Sequence, residues 1–72
     1  MSLIGAMYRM IPPNRYTVEE QRRRLRAYLH RLMADRGAVE VLDAIRKAPD
    51  SPAKDNLIVA AEAVAAQRER VT

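Results

Sequence analysis

Between Thr17 and Gly37, apolar residues return at helical spacing. At about 100° per residue, Val18, Leu25, Leu29, Leu32 and Met33 fall on one stripe, with Tyr28 at its edge. Thr17-Val18-Glu19-Glu20 has the form of a capping box, in which Thr17 and Glu20 satisfy two otherwise orphaned backbone donors. Glu19 and Glu20 also suit the positive end of the helix dipole, and Gly37 suits a C-cap after Arg36. The spacing therefore predicts a helix over 17–36. Ala38, Val41, Leu42, Ile45 and Ala48 share the next apolar face, which Pro49 ends, so a second helix is expected over 38–48. Only Gly37 separates the two, which demands a tight corner. In Pro49-Asp50-Ser51-Pro52, Ser51 can cap a third helix that has Pro52 at its first position, giving 52–70. That helix carries Leu57, Ala60, Ala61, Val64 and Val71 on one face, widened by Ile58 and Ala65. Val59, Ala63 and Ala66 project from its far side.

The first 16 residues are less determinate. Leu3, Ile4, Met7, Tyr8, Met10 and Ile11 lie near a helical spacing, with Ser2 available as a cap, but Gly5 and the short length weaken a helix. A short helix or an apolar arm is expected; an extended segment over 6–11, pairing with its mate in a dimer, is the other option. Pro12-Pro13 forces a break and an extended turn, and Tyr16 is placed to pack on Gln21 or Leu25. The expected architecture is all-α: a small three-helix domain over 17–72, preceded by an arm or fourth short helix over 1–16.

Seventy-two residues bound this architecture to one small domain, which hides only about 60% of the surface its unfolded chain exposes. Cysteine is absent, so neither a disulfide nor a thiolate metal site is available as a staple. Self-association is the remaining common staple, and a homodimer is expected. Its candidate surface is Val59, Ala63 and Ala66, joined by Met7 and Met10. Residues 1–11 lack the basic start and small-residue cleavage site of a leader, and no window approaches the roughly 20 apolar residues of a membrane span. A cytoplasmic protein without a membrane partner is the expectation.

Charge adds a possible partner. There are 13 basic and 9 acidic residues, a net +4, and arginine supplies 11 of the 13. Such an excess suits an anionic partner, although many Arg and 12 Ala are also what a GC-rich genome writes. Pairs at i,i+4 (Glu19 with Arg23, Glu20 with Arg24, Arg31 with Asp35, Asp43 with Lys47) are expected to neutralise part of this charge. The unpaired remainder is Arg22, Arg26 and Arg36. Arg22 is odd, because its angle sets it beside Leu29 and Met33.

Material for catalysis is scarce. His30 is the single histidine and has no nucleophile near it in sequence, no metal-ligand spacing exists, and no Gly-rich phosphate loop is present. Neither an enzyme nor a cofactor is expected. Two binding readings remain, with Arg22, Arg23, Arg26, His30 and Arg36 as candidate contacts. The favoured one is a small regulator or adaptor acting by protein–protein contact. The other is a nucleic-acid-binding regulator using the arginine face of the 17–36 helix. A helix-turn-helix over 38–66 is weakly supported, since Lys54, Asp55 and Asn56 are a thin polar offering and the turn holds two prolines. Size and composition are those of small bacterial or phage-encoded regulators, an analogy that assigns no residue a role.

Overall fold

The structure, a computed structural model, describes residues 3–71. Met1, Ser2 and the Val71 side chain, expected in the arm, as a cap and on the last apolar face, lie outside the described residues. Those described form four helices and no strand: α1 (Leu3–Met10), α2 (Val18–Arg36), α3 (Ala38–Lys47) and α4 (Pro52–Val71). The first segment is thus a helix, not an extended arm, and Ile4, Met7 and Ile11 are buried in the same core as the other three helices. Tertiary burial overrides the cost of Gly5.

Local chemistry sets the ends of the elements. Thr17 Oγ1 accepts from Glu20 N at 3.1 Å, which is one half of the expected capping box. The other half is missing, because the Glu20 carboxylate is taken by Arg23 and by Arg24 at 2.9 Å. Gly37 closes α2 at φ 92° and ψ 146°, donating to Met33 O at 2.8 Å. Ser51 Oγ caps α4, accepting from Lys54 N at 3.1 Å. After α1, Arg15 N donates to Pro12 O at 3.3 Å, so Pro12 to Arg15 is a closed turn with Pro13 at its first corner rather than an extended polyproline segment.

Leu25, Leu29, Met33, Val41, Ile45, Leu57, Ala60, Ala61 and Val64 complete the core. Leu32 and Tyr28 pack at its rim, as does Tyr16, whose ring lies 4.6 Å beneath the Arg24 guanidinium. Val18 departs from expectation at 58% exposed, and Gln21 takes the buried position instead at 3%. The reason is where α4 meets α2: contact begins at Gln21, which Asn56 faces, and Val18 is one turn beyond it.

Candidate functional site

Two polar links join α2 to α4, and they define a face. At one end, Asn56 Nδ2 donates to Gln21 Oε1 at 2.7 Å, while Arg22 Nε donates to Asn56 Oδ1. The direction of this relay is forced. A guanidinium can only donate, so the Asn56 oxygen must face Arg22 and its amide nitrogen must face Gln21. Arg22, expected to be unpaired, is therefore committed to the interior. Gln21 Nε2 is left buried without an acceptor. At the other end, His30 Nε2 lies 3.2 Å from Gln67 Oε1, a bond the ring donates. The histidine is half-buried and cross-links two helices.

These links run in the same order along both helices, Arg22 to His30 on α2 and Asn56 to Gln67 on α4, so the two helices are parallel. Helical register then places the remaining residues. Arg22, Arg26 and His30 succeed one another at i,i+4 along the α2 edge. On α4, Ala63 stands at i+7 from Asn56 and i−4 from Gln67, on the edge nearest α2. Val59 and Ala66 lie just outward of it. Val59 is 46% exposed, and Ala63 and Ala66 are exposed. The cationic residues and the apolar residues singled out in sequence are therefore neighbours on one surface.

Other candidates lie elsewhere. Met7 is fully buried, so it fills the core and is not available for self-association. Met10 is 67% exposed but sits with Tyr28, Arg31, Leu32 and Asp35 on the opposite flank of α2. Arg36 stands at the α2–α3 corner beside Val39, Glu40 and Arg46. Arg23 points outward and pairs with Glu20. Among the described residues the Glu19–Arg23 and Arg31–Asp35 pairs do not form, while Lys47 meets Asp43 at 3.0 Å. Such exposed pairs contribute at most about 1 kcal/mol each.

Sequence reasoning missed two buried polar residues of α4, one against α3 and one under this face. Lys54 and Asn56, read as the exposed start of a recognition helix, are both 8% exposed. The Lys54 ammonium donates to Arg46 O at 3.0 Å and Ala48 O at 2.6 Å, and meets Asp50 Oδ1 at 3.2 Å. It satisfies the carbonyl end of α3 and so has no proton to offer a phosphate. One signal for Gln21 was present: it stands at i−4 from Leu25, on the apolar stripe.

Among the described residues no group of three or more His, Asp or Glu is placed to hold a metal ion, and no helix is long and apolar enough to cross a membrane. No protein-family model matches the chain, and neither does any curated protein or solved structure.

Proposed function

We propose that this chain is a small, non-enzymatic helical regulator or adaptor of the cytoplasm that acts by protein–protein contact through the α2/α4 face. One observation carries the reading: the exposed row Val59, Ala63 and Ala66 falls by helical register along the edge of α4 next to α2, whose facing edge carries Arg26 and His30. An apolar strip flanked by arginine is what protein interfaces use, since burial supplies energy and the guanidinium adds directional bonds. A phosphate backbone would use the cations alone.

The nucleic-acid reading keeps the exposed arginines of α2, and it loses ground for a specific reason. Arg22 is spent on Asn56, and Arg23 and Arg24 share Glu20. Affinity purification of the tagged full chain with nuclease treatment, followed by mass spectrometry, separates the two. Nuclease-resistant protein that is recovered with the wild type and lost with Val59→Asp is the expected result. Recovery of nucleic acid alone, with affinity that falls steeply as salt rises and drops in Arg26→Glu, overturns it in favour of the alternative.

A further inference from the structure

The α4 face has a third row that the arginines make meaningful. Residues 59, 63 and 66 follow the 4,3 spacing of a heptad seam, Val59, Ala63 and Ala66, with Asn56 beneath it buried in the link to α2. On one side of the seam stands α2 with Arg22, Arg26 and His30. On the other side, at the flanking position of successive heptads, stand Asp55 and Glu62. Asp55 and Glu62 are exposed, and within one chain neither makes an ion pair with Arg22 or Arg26. The surface therefore runs from an α2 edge that is basic on balance, Glu19 standing with Arg22 and Arg26 at its lower end, through apolar to acidic.

We infer that the occupant of this face is a second copy of the chain, packed with its α4 parallel to the first about a two-fold axis along the helices. The inference rests on the protein-contact reading above and names the partner. Symmetry decides the direction. A two-fold along the helices exchanges left for right, so the basic edge of each copy meets the acidic edge of the other. An antiparallel pairing keeps left on left and sets arginine against arginine, which like-charge repulsion opposes.

Heights agree as well. Arg22 is level with Asn56 and His30 with Gln67 through the links already described. Arg26 stands midway between Arg22 and His30, and so is level with the midpoint of 56 and 67, at Ala61 and Glu62. In a parallel pair, equal heights face each other. Arg26 of one copy then meets Glu62 of the other.

Area requires the arginine row to take part. A standard interface takes about 800 Å² from each partner, roughly one sixth of the 5072 Å² this chain exposes. A 20-residue helix about 30 Å long and 10 Å wide supplies less than half of that. The flank of α2 makes up the difference, so the pair closes over both helices and not over the apolar seam alone.

The test uses light scattering and interchain cross-linking on the full chain at tens of micromolar. The wild type is expected at twice its 8.2 kDa mass. Arg26→Glu and Glu62→Arg should each give the monomer mass, and the two together should restore the dimer. Circular dichroism checks that each single variant stays folded, as expected for a half-buried Arg26 and an exposed Glu62 that stand outside the core. Because the chain has no cysteine, single Val59→Cys and Ala66→Cys variants report the direction. In a parallel two-fold each seam residue faces its own counterpart, so both should form disulfide-linked dimers. An antiparallel seam can bring at most one of the two to its own copy. Cross-linking of one or neither, or a double charge exchange that stays monomeric, overturns the proposal. A monomeric wild type that still recovers a nuclease-resistant partner, and loses it with Val59→Asp, overturns the self-pairing but leaves the protein-contact reading standing. A monomeric wild type that recovers no protein overturns both.

Discussion

At Lys54 three acceptors surround one buried ammonium, and two of them are carbonyls at the end of α3. Lys54→Met keeps the apolar stem and removes every donor, stranding the Arg46 and Ala48 carbonyls. Hydrogen bonds to charged groups contribute about 1.5–3 kcal/mol, so a loss of about 2 kcal/mol is expected. The measurement is the urea midpoint at constant slope, and an unchanged midpoint refutes the role. Tyr8 makes the opposite case. Its hydroxyl is shut away from solvent without a hydrogen bond of good geometry. Burial pushes its pKa above the ordinary 10.0, and neighbouring Ser51 pulls it back by less. Removing an unsatisfied buried group is neutral or stabilising, so Tyr8→Phe should not lower the midpoint. The sign of the pH effect follows from the direction of the shift. A group whose folded pKa is raised contributes stability that is present below pH 10 and lost above it, as the phenolate is forced into the interior. The wild type should lose stability in that range faster than Tyr8→Phe. Neither environment was legible in the residues alone: Lys54 stands in a helical pattern that fits a solvated face equally well, Tyr8 shares the apolar spacing of Ile4 and Met7 without revealing that its hydroxyl is shut in, and only the neighbouring helices decide which polar atoms are covered.

Gly37 shows an element boundary that the sequence did reveal. Its φ of 92° with ψ 146° lies in backbone space open mainly to glycine, and a Cβ built there meets nothing within 4 Å. Gly37→Ala should therefore cost about 1–3 kcal/mol from local backbone strain alone, with no clash against the rest of the fold. Thermal or urea unfolding measures it, and a variant as stable as the wild type would show that the corner relaxes freely. The helices expected at 17–36, 38–48 and 52–70 appear at Val18–Arg36, Ala38–Lys47 and Pro52–Val71, because caps and prolines act over one turn and are written locally. α1 was ambiguous for the complementary reason. An eight-residue segment with a glycine is not helical by its own propensity, and burial of Ile4 and Met7 determines its form. The ion pairs were partly misassigned. Glu20 can reach either Arg23 or Arg24, and i,i+3 and i,i+4 geometries are close in energy.

For the molecule as a whole, a small core makes stability sensitive to assembly. Domains of this size retain about 0.05–0.15 kcal/mol per residue, so a linked dimerisation equilibrium is a large fraction of the total. If the α2/α4 face pairs with itself, the melting temperature of the wild type should rise with protein concentration, and that of Arg26→Glu should not. Differential scanning calorimetry over a hundredfold range of concentration measures this. A flat wild-type curve counts against the pairing. Added salt should weaken the dimer, because Arg26 and Glu62 would meet at a partly solvated rim where screening is effective.

The pattern of residues was sufficient for the all-helical class, the ends of three helices, most of the core and the identity of the exposed apolar row, all of which depend on interactions within one or two helical turns. It also held both halves of the candidate face as separate lists. What it lacked was their juxtaposition. That Arg22 turns inward to Asn56, that His30 reaches Gln67, that Met7 is core and Met10 lies on the other flank are decided by how α1 and α4 pack on α2. Helical periodicity gives the angle of a side chain about its own axis but carries no information on which neighbouring helix, at which height, will meet it.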